Sequence, residues 1–325
     1  MSAPPPPALG DDHRGPSVNG VPRRSLLRLA ARGVVAAGLA GSAAGSISGC
    51  GLRLDLPEPP PPAPTRRPAP DEALLVSVIA QLSQIVTAEK AIAADRAVGG
   101  ATTVSTLLRL HREQATVLTG RLTNDGVPMK LITAPSPSRP APRSTTELAA
   151  RLDSLGPSDW AGLAVATTPT RELLISAYSL RLAGAVLLGR TVGVPAPPSP
   201  AREALLARTR PLVYAFEVVA AQSSGGQRRR AVATLKSLQN LEEEVAAGSN
   251  TAPTGWSLPF PVTTANAASR LATQVMSAAV ASLVAVAGSN PTAASLRDSA
   301  TWSARVQSLA VDWTVPLTAF PGTDE

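Results

Sequence analysis

From Asp71 onward, apolar residues recur every three or four positions, and this period restricts the fold more than any other feature. The first predicted helix, 71–97, carries a single stripe of such positions: Leu75, Val78, Leu82, Ile85, Glu89 and Ile92. This spacing places side chains on one face of an α-helix. Ala and Leu, the strongest helix formers, are abundant along the same region. The sequence therefore predicts an all-α fold.

The periodic region divides into two halves of four predicted helices each. Their expected positions are 71–97, 102–122, 145–166 and 170–191 in the first half, and 201–223, 226–247, 264–287 and 292–313 in the second. Each half has a short turn, a long Pro-containing connection and another short turn, which is ferritin-like connectivity. We expect two tandem four-helix bundles, at 71–198 and 199–322.

Short fragments recur in the same order in both halves. Residues 72–75 (EALL) recur as residues 203–206, and the glycine pair 99–100 recurs as 225–226. Each match alone is compatible with chance in an Ala-rich chain. Several matches in register favour an internal duplication.

Residues 1–50 have the features of an export signal. Arg23 and Arg24, followed by two leucines, resemble a twin-arginine (Tat) signal. Residues 47–50 (ISGC) resemble a lipobox ending in Cys50, the residue that would be acylated. The alternative is a plain secretory signal with a coincidental cysteine. The apolar segment between them is shorter than the roughly 20 residues of a transmembrane helix. We expect a lipid anchor at the outer face of the cytoplasmic membrane.

A Pro-rich linker is predicted at 51–70, where eight prolines fall within residues 57–70. Such composition favours an extended spacer. Cys50 is the single cysteine, so no disulfide can form within the chain. Residues 1–50 contain five Arg and two Asp, so the charge of +7 falls to +4 (25 basic, 21 acidic) without them. That excess is too small and dispersed to indicate a nucleic-acid partner.

The second half, roughly 203–322, resembles a bacterial ferritin-like domain family of unknown function found in exported proteins. Three segments carry the resemblance: 213–216 (VYAF) with 218–221 (VVAA), 258–262 (LPFPV) and 319–322 (AFPG). The resemblance covers a little over a third of the chain. It implies a ferritin-like fold and no particular activity.

A complete di-iron site is not expected. Such a site needs a Glu from two helices and a Glu-x-x-His motif from each of two others. The chain has two histidines, and His13 precedes the export signal. Just upstream of Tyr214, where the family resemblance implies a Glu-His pair, the sequence has Thr209 and Arg210. We therefore expect no metal and no cofactor.

Glu89 and His111 both fall on the apolar stripes of their helices, about equally far from the Gly99-Gly100 turn. Antiparallel packing would bring them to the same height, where an unpaired buried charge is costly. The sequence predicts a buried polar pair. A structural contact is one interpretation, and a metal or ligand role is the other.

Arg228, Arg229 and Arg230 open the sixth predicted helix, and three glutamates lie near its end. Both runs oppose the helix dipole. One interpretation is a solvated face with pairing across helices. The other is a contact with an anionic partner or lipid.

The sequence thus predicts a membrane-anchored exported lipoprotein with a non-catalytic binding or structural role in the cell envelope. The alternative is a metal-binding ferritin-like protein or oxidase. A further possibility is a stalked partner of another envelope protein.

Overall fold

The computed structural model describes residues 66–94, 100–133, 140–194, 197–246 and 255–323. The predicted export signal and nearly all of the predicted linker lie outside these residues. The first half has six helices: α1 (Glu72–Ala94), α2 (Ala101–Asn124), α3 (Met129–Ile132), α4 (Thr145–Leu152), α5 (Pro157–Val165) and α6 (Thr168–Leu187). The second half has α7 (Arg202–Gln222), α8 (Gly225–Ala246), α9 (Ala265–Ala281), α10 (Leu283–Ser289) and α11 (Ala293–Ala310). A 3-10 turn, Val311–Trp313, follows α11. The described residues contain no strand, which confirms the all-α prediction.

The predicted helix at 145–166 is wrong as a single element, because the structure divides it into α4 and α5. Pro157 cannot continue a helix from the preceding turn, and it occupies the first position of α5 instead. The Asp159 carboxylate accepts a hydrogen bond from Gly156 N, 2.7 Å away, and caps the new helix. On the other side of the break, Arg181 Nε and Nη2 donate to the carbonyls of Leu152 and Arg151 at the end of α4.

The predicted helix at 264–287 is also divided, at Ser282, into α9 and α10. The Ser282 hydroxyl donates to Ala279 O at 2.8 Å and competes with the regular helical pattern. The long connection expected at 123–143 is not entirely irregular, because it contains the single turn α3. The proline at 157 indicates the first helix break in the sequence itself, whereas a serine such as Ser282 does not indicate a break.

Two clusters of buried apolar side chains form the interior. One is built mainly from α1, α2 and α6, and the other from α7, α8, α9 and part of α11. The first cluster also includes Leu283, Leu296 and Ala300 from the second half. The two halves therefore share part of their interior, and their division into two separate bundles remains a prediction.

The helices of the two halves pack in corresponding pairs. The hairpin of α1 and α2 corresponds to that of α7 and α8, and the packing of α4 on α6 corresponds to that of α9 on α11. Between the halves, α6 packs on α11, α5 packs on α11, and α10 packs on α6. Such reciprocal contacts are what two copies of one unit produce across a two-fold interface.

The seam between α6 and α11 is lined by small buried side chains. Gln307 Nε2 donates to Ser179 Oγ of α6 at 3.1 Å and to Ser303 Oγ of its own helix at 3.0 Å. Ser179 and Ser303 belong to matching segments 124 residues apart, in which Tyr178 and Arg181 correspond to Trp302 and Arg305. One glutamine thus bridges equivalent serines of the two halves.

The C-terminal segment after Trp313 returns to the first half. Ala319 O accepts a 2.5 Å hydrogen bond from the buried Gln114 Nε2 of α2. Ala319 is buried in the first cluster, and Leu317 and Phe320 pack against it. Gly322, at φ +82, lies so close to Val280 O and Ala281 O that a Cβ would stand 3.3 Å from each. The last residues therefore cover α2 and the break between α9 and α10.

Gly184 of α6 allows α2 and α4 to approach, because a Cβ there would lie 3.0 Å from Leu107 and 3.1 Å from Leu152. Gly120 of α2 has no heavy atom within 4 Å of such a Cβ. Gly120→Ala should stabilise the protein by about 0.5–1 kcal/mol by favouring the helix. Gly184→Ala makes the same backbone change but crowds two core leucines, so it should be about 1–3 kcal/mol less stable than Gly120→Ala. Denaturant unfolding of both variants measures the difference, and equal stabilities would contradict the close contact.

Candidate functional site

The hairpin of α1 and α2 brings Glu89 and His111 together. A hydrogen bond joins His111 Nδ1 and Glu89 Oε1, which lie 2.7 Å apart. Both side chains are fully buried, at 0% exposure. The pair lies among the leucines and isoleucines of the first cluster, where desolvation makes a broken pair costly.

Three polar atoms near this pair have no hydrogen-bond partner among the described residues: Glu89 Oε2, His111 Nε2 and Gln114 Oε1. Gln114 lies three residues after His111, on the same face of α2. These atoms have the chemistry of metal ligands or of a site for a buried water. No group of three or more His, Cys, Asp or Glu side chains suited to a metal occurs in the part of the chain that the structure describes.

Thr209 and Arg210 are both engaged in structural contacts. Thr209 Oγ1 accepts a 2.9 Å hydrogen bond from Trp302 Nε1 and donates to Leu205 O at 2.8 Å. Arg210 Nε lies 3.2 Å from Glu242 Oε1 of α8. At the position where the family resemblance implies a Glu-His pair, Thr209 thus accepts a hydrogen bond from the Trp302 indole, and Arg210 pairs with Glu242.

A buried ion pair between Arg202 and Asp298 was not predicted from the sequence. Arg202 Nε donates to Asp298 Oδ2 at 2.5 Å, and Arg202 Nη1 donates to Glu244 O. The Asp298 carboxylate also accepts from Ser199 N at 3.4 Å. The partners are separated by 96 residues, and no local pattern in the sequence indicates which Arg would meet Asp298.

Tyr178 of the first half occupies the position that corresponds to Trp302 of the second half, 124 residues later. Its ring packs edge-on against Trp160, with ring centroids 5.5 Å apart. Its hydroxyl has no hydrogen-bond partner among the described residues. Burial raises the pKa of this hydroxyl above its ordinary value, so the tyrosine stays neutral.

The three arginines at 228–230 are all exposed, in the first two turns of α8. The Arg230 guanidinium stacks over the Trp313 ring, 5.6 Å from its centroid, and Nη1 donates to Asp312 O. No ion pair to a carboxylate is formed by Arg228, Arg229 or Arg230 within the described residues.

The glutamates at the other end of α8 differ from the arginines, because two of them are paired across helices. Glu242 meets Arg210, and Glu244 Oε1 lies 2.6 Å from Arg305 Nη1. The charge run at the start of α8 is therefore the one available to an outside anion. Arg23, Arg24 and Cys50, the predicted export and lipidation residues, lie outside the described residues.

Two described helical segments are apolar and long enough to cross a membrane by composition, α1 and the run formed by α9 and α10. Both place many residues inside the protein, as core helices do. This finding is therefore weak evidence for a membrane span.

The Glu89–His111 pair should behave as a coupled unit. Glu89→Leu or His111→Leu alone should lower the free energy of unfolding by about 3–5 kcal/mol, because each leaves a buried polar partner unpaired. The double variant should cost less than the two single changes together, since it leaves no partner behind. A double-mutant cycle from denaturant unfolding measures the coupling.

Glu113→Gln serves as the control for this cycle. Glu113 is exposed and lies 3.5 Å from Arg109 one turn earlier, so its change should remain within about 0.5 kcal/mol. Additive single changes at Glu89 and His111 would contradict a coupled pair.

The arginines at 228–230 should bind anionic vesicles if they contact lipid. Changing all three to Gln in a full chain with Cys50→Ser should then weaken binding by about 1 kcal/mol per arginine. The control changes the exposed Arg112, Arg143 and Arg208 to Gln, which removes the same charge without the cluster. Equal vesicle binding by the two variants would remove the lipid interpretation.

Comparison of the chain with models of protein families, with curated proteins and with solved structures gives no significant match. The ferritin-like resemblance of the second half thus stays a prediction.

Proposed function

We propose that this protein is an exported lipoprotein, anchored through Cys50 to the outer face of the cytoplasmic membrane, with a non-catalytic binding or structural role in the cell envelope. The anchoring part rests on the order of Arg23, Arg24 and the lipobox-like residues before Cys50. Two acyl chains on one cysteine are enough for stable anchoring.

The non-catalytic part rests on one observation: each buried acidic or basic side chain of the described residues contacts at least one other protein group. These side chains are Glu89, His111, Arg181, Arg202 and Asp298. Two pairs account for four of them. Arg181 donates to backbone carbonyls, to Gln81 Oε1 and to Ser154 Oγ. Groups used for acid–base or nucleophilic chemistry must reach a substrate, and these groups lie in closed contacts.

A metal-binding or oxidase role is the second candidate, and one observation favours it. Glu89 Oε2 and His111 Nε2 are buried ligand-type atoms without a hydrogen-bond partner in the described region. Metal analysis of the purified protein separates the two candidates. Stoichiometric iron or manganese that is lost in His111→Asn would favour the second candidate over the first.

A partner protein of the envelope is compatible with the first candidate. The exposed arginines at 228–230 suit an acidic surface, because Arg forms paired hydrogen bonds with carboxylates. Co-purification from membranes with a specific acidic protein, lost when the three arginines are changed, would identify such a role.

The anchor makes a direct prediction about location. The wild-type protein should fractionate with membranes, and its mature N-terminal peptide should carry the mass of a diacylglyceryl group. Cys50→Ser should shift the protein to the soluble exported fraction, since the acceptor thiol is gone. Replacing Arg23 and Arg24 by Lys should instead retain the protein inside the cell. A Cys50→Ser protein that remains in the membrane fraction would contradict lipid anchoring.

A further inference from the structure

The predicted linker joins the folded region at one end of the first half. Arg66 pairs with Glu72 at the start of α1, and Ala69 N donates to the Glu72 carboxylate at 2.9 Å. These contacts fix the direction from which residues 66–70 approach α1.

The junction between α5 and α6 lies at the same end. Asp71 Oδ2 accepts hydrogen bonds from Thr167 N at 3.0 Å and from the Thr167 hydroxyl at 2.5 Å. Burial opposes ionisation of Asp71, but these hydrogen bonds outweigh it and hold the pKa of the carboxyl below its usual value. Gly162 of α5 faces Leu74, whose Cδ1 would lie 3.2 Å from a Cβ there.

The C-terminal end of α2 and the turn α3 complete this end. Arg121 Nη2 donates to Thr170 Oγ1 of α6 at 2.9 Å. Val127 N donates to Leu122 O, which closes the chain back over the end of α2, and α3 packs on α1. We call this surface, formed by residues 66–72, α3 and residues 165–170, the linker end.

Large apolar side chains are exposed at the linker end. Ile132 and Val127 are buried and anchor α3, whereas Met129 and Leu131 are 50% and 42% exposed on either side of the exposed Lys130. Val165, at the end of α5, is 86% exposed. The described residues have six exposed large apolar side chains, and the other three are Val117, Val232 and Val311. Half of the set therefore lies where the linker joins, although burial would favour hiding each of these side chains from water.

We propose that the linker end rests on the bilayer that carries the chain's own lipid anchor, with Met129, Leu131 and Val165 in the interfacial layer. This proposal rests on the proposed function, because it needs the acyl chains at Cys50. Apolar side chains flanked by cations suit the boundary between head groups and acyl chains, and Lys130, Arg66 and Arg67 supply the cations.

The short length of chain between Cys50 and the linker end supports the bilayer as the surface that the linker end contacts. Fifteen residues lie between Cys50 and Arg66, and this stretch at full extension covers on the order of 55 Å. Of the described residues, Arg66 and Arg67 are the nearest to Cys50 along the chain. Although the linker is predicted to be extended, it can lie along the bilayer as well as stand on it, and in both cases it keeps the linker end within its own length of the membrane, where a weak apolar contact is sufficient.

The single cysteine makes a direct test possible. In the lipidated protein the Cys50 thiol is blocked, so an introduced cysteine is the only site for a thiol-reactive fluorophore. Leu131→Cys and Val165→Cys report on the linker end. Val232→Cys and Val311→Cys, at 50% and 40% exposure, are controls elsewhere that match the 42% exposure of Leu131. Each labelled full-length protein is reconstituted in vesicles of phosphatidylcholine alone, with and without brominated acyl chains, so that the arginines at 228–230 do not draw the control positions to an anionic lipid.

We expect brominated lipid to quench the probes at positions 131 and 165 at least threefold more than those at 232 and 311. Changing Met129 to Ser in the Leu131→Cys protein should reduce this quenching, because one apolar contact is lost. Equal quenching at all four positions, or none at 131 and 165, would overturn the proposal. A blue shift of the probe at 131 that increases with protein concentration in detergent solution would also overturn the proposal. Such a shift would show that a second copy of the protein covers this surface.

Failure of the anchor is distinguished from failure of the surface by mass spectrometry of the same samples. An unmodified Cys50 that takes up fluorophore shows that the proposed lipidation is wrong. An acylated Cys50 with unquenched probes shows that the protein is anchored but stands away from the bilayer.

Discussion

The packing of α6 against α11 is the contact on which the rest of the structure depends. It is made by small buried side chains of both helices, which let the two backbones approach closely. The hairpin of α1 and α2 packs beside α6, and α7 and α9 pack against α11. Because α5 and α10 each cross to the opposite half, neither half has a complete surface of its own at this seam.

The two halves bury different polar contacts. The first half buries a Glu–His pair, whereas the second caps two indoles with threonine hydroxyls, Trp302 on Thr209 and Trp313 on Thr234. Both kinds of contact join polar side chains of neighbouring helices and so fix the register of those helices, but the Glu–His pair leaves Glu89 Oε2 and His111 Nε2 without a partner among the described residues. The halves thus share corresponding helix pairs but differ in their buried polar contacts.

The sequence was sufficient for the helical class and for most helix positions, because amphipathic periods record which face is buried. The height match of Glu89 and His111 also followed from the turn between their helices. Contacts between distant segments did not follow: Arg202 meets Asp298, and Gln307 meets Ser179, across 96 and 128 residues. The break at Ser282 was missed because serine is compatible with a helix and only tertiary packing decides its conformation.

The packing of the segment after Trp313 over α2 determines when the first half can complete its fold. Ala319 and Phe320, which complete the interior of the first half, come after all the helices of the second half in the chain. Domains commonly fold from the N-terminus during synthesis. Here α1 and α2 cannot complete their packing until residues 319 and 320 have also been synthesised. The first half therefore completes its interior together with the second half and not before it.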